Sequence, residues 1–277
     1  MPTESGMSPS EVVDNHRLRS EFMRRLIAAT PDPPLGDHKS LPPRILVQFW
    51  DDADAVPMDV QECLDSWAVL ETLGFQRWLF DDITAARFIA EHFSARHVLA
   101  FEKCRHPAMR SDFFRYSFMF QVGGFYVDAD DVYLAGPLER LLSDGRLKLQ
   151  PLCYDIATDS MCDPHRSTLI EEDASLIFYI NTTPLIAPAG HPIIADALER
   201  ATSNILNADE ANRDIQSLTG PGNITGCLVR HAIELETSGA TRDFEIVDGW
   251  TSIAESKWPL AYRSDRRNWR HWEQGDA

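Results

Sequence analysis

Apolar residues recur at helical spacing near the start of the chain. Val13, Leu18, Phe22, Met23, Leu26 and Ile27 share a stripe, with Arg17, Arg19, Arg24 and Arg25 largely off it. This predicts an amphipathic helix over 10–29, N-capped by Ser10. The stripe suits packing against a domain; a membrane-surface helix is the alternative. Residues 30–43 carry five prolines and one glycine, the composition of a linker. From Arg44 onward, short apolar runs alternate with helical patterns. Strands are expected at 45–50, 76–80, 125–127, 176–180 and 244–247. Helices are expected at 58–73, 83–93, 107–121 and 192–206, with Gly123-Gly124 ending the third. This alternation indicates an α/β domain with a largely parallel sheet. The expected organisation is an N-terminal helix and linker over 1–42 and one domain over 43–277.

The 277 residues hold 26 Lys and Arg against 43 Asp and Glu, a net charge of −17. Such a surface argues against binding nucleic acid, where affinity rests on basic residues meeting phosphates. It argues equally against clinging to anionic lipid. No run approaches the roughly 18 apolar residues of a membrane span, and the first sixteen residues are too polar for a secretory signal. The five cysteines form no CxxC pair, so neither a disulfide framework nor a zinc site is expected. A cytoplasmic location follows as an expectation.

The chemistry concentrates between His106 and Asp131. Phe125–Val127 reads as a strand end followed by Asp128-Ala129-Asp130-Asp131. Ligands of open α/β sheets sit beyond the carboxyl ends of strands. Side chains at i and i+2 of an extended segment point the same way, so Asp128 and Asp130 can aim at one point. Two close carboxylates repel and favour a cation between them; hard oxygen ligands suit Mg²⁺ or Mn²⁺. The other reading is a helix cap or an acidic turn. The preceding helix is apolar on nearly all faces, yet contains Arg110, Asp112 and Arg115. Buried charges are costly unless paired or bound to something. Asp112 and Arg115 either pair at i, i+3 or emerge beside the two aspartates to grip a polar ligand.

Ser111-Asp112-x-x-Arg115 followed by Gly123-Gly124-x-Tyr126-x-Asp128-x-Asp130 resembles the signature of glycosyltransferases with a DxD-containing sugar-binding region. The resemblance is to glycosyltransferase family 32, with fungal outer-chain mannosyltransferases and bacterial capsule enzymes, and more distantly to the glucosylating bacterial toxins. It covers about 43–225. Pro43-Arg-Ile-Leu-Val-Gln48-Phe-Trp50 resembles the family's opening strand, Ser66-Trp67 the helix after it, Asn181 with His191-Pro192 a later stretch, and Thr219-Gly220-Pro221 a turn near the active site.

The resemblance implies a GT-A fold, a mixed and mostly parallel sheet, and retaining transfer of a hexose from a nucleotide-diphosphate sugar, UDP- or GDP-linked. The acceptor would be the hydroxyl of a polysaccharide, lipid-linked or other glycan, or small molecule, as in bacterial polysaccharide biosynthesis. Asp128 and Asp130 would hold Mn²⁺ or Mg²⁺. Asp112 and Arg115 would bind the donor sugar, and together these four form the expected catalytic set. Gln48, Trp50, Ser111, Tyr126, Ala129 and Asn181 would complete the donor site. The tail departs from the family in its spacing, and its four arginines (263, 266, 267, 270) either neutralise a diphosphate or form a solvated basic tail. Glu171, Glu172 and Asp173 form an acidic run that lines an acceptor pocket or is a solvated turn.

Two alternatives compete. Phe125-Tyr-Val-Asp128-Ala-Asp130 also fits the first motif of haloacid-dehalogenase-type phosphatases, with Asp128 as nucleophile, although only four lysines are present and none sits in that family's context. The other alternative is a non-catalytic sugar-nucleotide-binding module.

Overall fold

The computed structural model describes residues 9–29, 40–170, 173–209 and 212–274. Most of the proline-rich stretch, and Glu171 and Glu172, lie outside the described residues.

The strands are β1 (Ile45–Phe49), β2 (Gln76–Phe80), β3 (Gly123–Tyr126), β4 (Asp131–Tyr133), β5 (Leu147–Asp155), β6 (Ser160–Cys162), β7 (Leu176–Pro188), β8 (Phe244–Ile246) and β9 (Ala254–Ser256). Seven of them form one sheet in the order β2-β1-β3-β7-β5-β6, with β8 also on β5. β2, β1 and β3 run parallel. β7 is antiparallel to both β3 and β5, and β8 is parallel to β5. Five of the seven strands therefore share one direction. The expected α/β class with a mixed, mostly parallel sheet is what is found.

The helices are α1 (Pro9–Asp14), α2 (His16–Ala28), α3 (Met58–Ser66), α4 (Asp82–His92), α5 (Ala95–Glu102), α6 (Pro107–Gln121), α7 (Pro164–Ser167), α8 (Pro192–Asn207), α9 (Ile215–Leu218), α10 (Pro221–Ser238) and α11 (Trp269–Gln274). Strand alternation sorts their packing. Leu46, Phe125 and Ile186 face one layer with Trp67 and Leu70. Val47, Tyr126 and Leu185 face the other, with α6, α8 and α10. Helices thus cover both faces.

The N-terminal helix differs from expectation in one respect. It breaks at Asn15, whose side chain accepts from the N–H groups of Arg17 and Leu18 and caps α2. Ser10 falls inside α1. Val13, Met23, Leu26 and Ile27 of the stripe join the main core, and Ser20 Oγ accepts from Phe178 N of β7 at 2.9 Å.

α6 starts at His106, which accepts from Ala108 N, with Pro107 at the first helical position. It ends where Gly123 and Gly124 adopt φ of +75° and +111°. A Cβ on Gly124 would lie 2.7 Å from Ile45 O, so close pairing of β3 with β1 demands glycine at a left-handed position. Gly124→Ala is expected to lower stability by roughly 2 kcal/mol, read as an earlier midpoint in urea unfolding. An unchanged midpoint would mean that β1 and β3 part easily.

Candidate active site

β1 and β3 are parallel neighbours, so their carboxyl ends open at the same edge. Trp50 and Asp51 follow β1 there; Asp128–Asp131 follow β3. A cleft of ≈ 380 Å³ lies over this edge, and its lining includes Trp50, Ser111, Asp112, Arg115, Asp128, Ala129, Asp130 and Asn181. The structure thus brings most of the expected residues together from four separate segments. Gln48 and Tyr126 are not in the lining. They lie beneath it, 3% and 0% exposed, and hold Asp128: Gln48 Nε2 donates to Asp128 O at 3.4 Å and the Tyr126 hydroxyl donates to Asp128 Oδ1 at 3.2 Å.

Arg115 is the hub. Its guanidinium is 2.9 Å from Asp128 Oδ1 and 3.3 Å from Asp112 Oδ1. It donates to Thr182 O at 2.8 Å and Ser111 Oγ at 3.0 Å, and stacks on the Tyr126 ring at 4.4 Å. Asp112 and Arg115 thus pair at i, i+3, and the pair stands beside Asp128. Burial alone would lower the Arg115 pKa, but Asp128, Tyr126 and Asp112 reverse this and raise it.

Asp112 also accepts from Thr219 Oγ1 at 3.0 Å, and Thr219 O in turn accepts from the Tyr116 hydroxyl at 2.8 Å. This is the structural use of Thr219-Gly220-Pro221. Burial pushes the Asp112 carboxyl up to about 6; Arg115 opposes the rise and Asp128 adds to it. His191 plays a plainer part: it caps α8, accepting from Ile193 N.

The tail reaches the site through a small two-stranded ribbon. β9 pairs antiparallel with β4, placing Ser256 opposite Asp131. Lys257 N donates to Asp130 O at 2.9 Å. The chain then folds over the aspartates: the Tyr262 hydroxyl donates to Asp130 Oδ2 at 2.7 Å, and Arg263 pairs with the same oxygen. Arg263, Arg267 and Arg270 line the cleft, whereas Arg266 contributes its carbonyl oxygen to His106 Nε2. Arg267 lies over the Trp50 ring at 5.4 Å, and Trp50 meets Tyr262 edge-on at 5.2 Å.

Several site residues were not foreseen from the sequence: Thr182, Thr183, Ser256, Trp258 and Tyr262. Thr183 Oγ1 accepts from Asp128 N and donates to Asp131 Oδ2, each at 3.1 Å. Their signals are weak because the role of each depends on a partner distant in sequence.

The electrostatics favour a cation. Burial raises the Asp130 carboxyl pKa, Asp128 raises it further, and Arg263 opposes. Asp131 is pushed well above the usual range by burial, then by Asp130 and Asp128. The protein contacts above engage Oδ1 of Asp128 and Oδ2 of Asp130, so each side chain keeps a second oxygen for another partner. Among the described residues no group of three or more His, Cys, Asp or Glu is arranged to hold a metal. A two-aspartate site fits a hard divalent ion only if water and a substrate's phosphate oxygens fill the remaining positions.

Residues 46–147 match the family described as "Glycosyltransferase sugar-binding region containing DXD motif"; that segment holds Gln48, Trp50, the α6 residues and both aspartates. No curated protein matches the chain. Among solved structures, one titled "PaToxG Glycosyltransferase" aligns over 96% of this chain and 95% of its own at 13% identity, with a TM-score of 0.47. Among the described residues no helix is long and apolar enough to cross a membrane.

Proposed function

We propose that the cleft binds a nucleotide-diphosphate hexose and that the chain is a retaining GT-A glycosyltransferase, cytoplasmic and acting in bacterial polysaccharide or glycan synthesis. The observation that carries this is the joining of Asp112, Arg115, Asp128 and Asp130 in one cleft, inside the segment matched to a glycosyltransferase sugar-binding region.

The division of labour follows from the contacts. Asp112 lines the cleft and accepts a hydroxyl hydrogen bond of the donor sugar. Arg115 is a positioning residue: its donors are spent on Asp112, Asp128, Ser111 and Thr182, so it fixes both carboxylates. Ser111, Ala129 and Asn181 shape the sugar pocket. Trp50 offers an aromatic wall to the nucleoside, with Gln48 and Tyr126 supporting the floor. Asp128 and Asp130 would hold Mn²⁺ or Mg²⁺, which when bound supplies Lewis-acid stabilisation of the departing diphosphate. Arg263, Arg267 and Arg270 add charge-assisted hydrogen bonds to the same phosphates. Arg263 exchanges its Asp130 partner for phosphate as the donor enters. The phosphatase alternative gains nothing from the cleft, where no lysine is found among the described lining residues.

The test is a calorimetric and hydrolysis screen of UDP-, GDP- and TDP-sugars with and without Mn²⁺. One nucleotide sugar is expected to bind, to depend on metal and to hydrolyse slowly. The pH dependence has a definite sign. Below about 6 Asp112 is protonated and loses its charge-assisted acceptor role, so donor affinity is expected to rise as pH climbs through that value. Hydrolysis of a simple phosphate ester, with no nucleotide sugar bound, would overturn the reading.

A further inference from the structure

Beside the donor cleft lies a second and larger cavity of ≈ 990 Å³, at the upper end of what small-molecule sites enclose. Met161, Tyr179, Trp258, Trp269 and Arg270 line both spaces, so the two adjoin at a largely aromatic partition. We propose that this cavity is the acceptor site and that the acceptor is an amphiphile: a hydroxyl-bearing head at the partition and an apolar body along the cavity floor. The assignment rests on the donor reading above and adds the acceptor's place and chemical class.

The two walls differ in chemistry. The floor carries Ile156, Met161, Ile177 and Trp258, which are 56%, 52%, 38% and 55% exposed. Large apolar side chains left open to water are unremarkable singly, but gathered in one concavity they mark a binding surface. Another part of the lining is the outer face of α2. Arg17, Glu21 and Arg24 line the cavity, while Met23, Leu26 and Ile27 of the same helix are buried in the core. This helix lies outside the segment 46–147 matched to the sugar-binding region. The cavity therefore combines an apolar floor with polar, hydrogen-bonding side chains, beside the donor cleft. A ligand with an apolar body and a hydroxylated head matches a lining that is apolar at Ile156 and Ile177 and polar at Arg17, Glu21 and Arg24. A wholly polar sugar would leave the floor wet.

The experiment uses the full chain and n-alkyl glucosides and mannosides (methyl, hexyl, octyl) below their micelle concentrations, followed by tryptophan fluorescence. Affinity is expected to rise with chain length by roughly fourfold per buried methylene. Ile156→Asp and Ile177→Asp, both at open positions, should flatten the series; their melting temperatures check that the fold persists. In the second arm, nucleotide release from the donor sugar should be faster with octyl than with methyl glycoside, and the alkyl glycoside should gain a sugar. A flat series, or a rise undiminished in both variants, would overturn the site. Donor hydrolysis without transfer to any alkyl glycoside would overturn its role as acceptor site. A rising, variant-sensitive series in a protein that turns over no nucleotide sugar would instead sink the donor reading.

Discussion

Asp130→Asn is expected to lower metal-dependent turnover of the nucleotide sugar by roughly a hundred- to a thousandfold, with little loss of stability. The two halves of this expectation have one cause. Burial raises the Asp130 pKa and Asp128 raises it further, against the opposing charge of Arg263. The folded protein therefore resists its negative charge in the absence of a bound cation. Asparagine copies the neutral form in shape, and its amide oxygen can still accept from the Tyr262 hydroxyl and from Arg263, which keeps a hydrogen bond there in place of the ion pair. Removing the charge relieves repulsion with Asp128 but also removes half of the cation site. Melting temperature measured without metal should stay close to wild type, while the stabilisation that Mn²⁺ and nucleotide confer on wild type should disappear. A variant that still melts later with metal and nucleotide, and turns over normally, would place the cation elsewhere.

The legibility of this site divides along sequence distance. α6, the glycine pair and the aspartates lie within 25 residues of one another, and local rules read them: a capped apolar helix, a helix stop, a strand end with carboxylates. What holds them together was not legible. The apolar run that predicts the strand from residue 176 stops at Ile180, where polar Asn181, Thr182 and Thr183 follow. In the structure the strand continues to Pro188. Its pairing with β5 jumps from Leu185 opposite Leu149 to Ile180 opposite Pro151, and the extra residues bulge toward the cleft. That bulge delivers Thr182 O to Arg115 and Thr183 Oγ1 to Asp128, a register irregularity that periodicity cannot register. α10 was missed because Gly222 and Gly226 weaken its helical signal. The arginine cluster of the tail is visible in the sequence, but which of its members reach the site is not: the β4–β9 pairing and the turn after it bring Arg263 rather than Arg266 onto Asp130. Likewise Gln48 and Tyr126 carried the right motif, yet their alternation along β1 and β3 turns them under the cleft.

Arg115→Ala is expected to cost roughly 3–5 kcal/mol of stability, and the cost should grow with pH. In the wild type the Asp112 carboxyl already stands at about 6, above the ordinary 3.8. Between those values the folded state binds more protons than the unfolded chain, so stability falls as pH rises, and the fall ends near the folded pKa. Arg115 is the favourable charge that limits this rise. Without it the Asp112 pKa moves higher still, and the decline continues at pH values where the wild type is level. Urea unfolding of both proteins on either side of pH 6 should therefore show a wider gap at the alkaline end. Adding Asp112→Asn to Arg115→Ala removes the buried charge that needs a partner, so the double variant should recover stability and lose the pH dependence. Arg115→Lys keeps a charge but not the planar fork that reaches Asp112, Asp128 and Thr182 at once, and should fall between wild type and alanine. A gap that stays constant with pH, or one that the double variant leaves in place, would mean that Arg115 holds the fold through Thr182 and Tyr126 rather than through the two carboxylates.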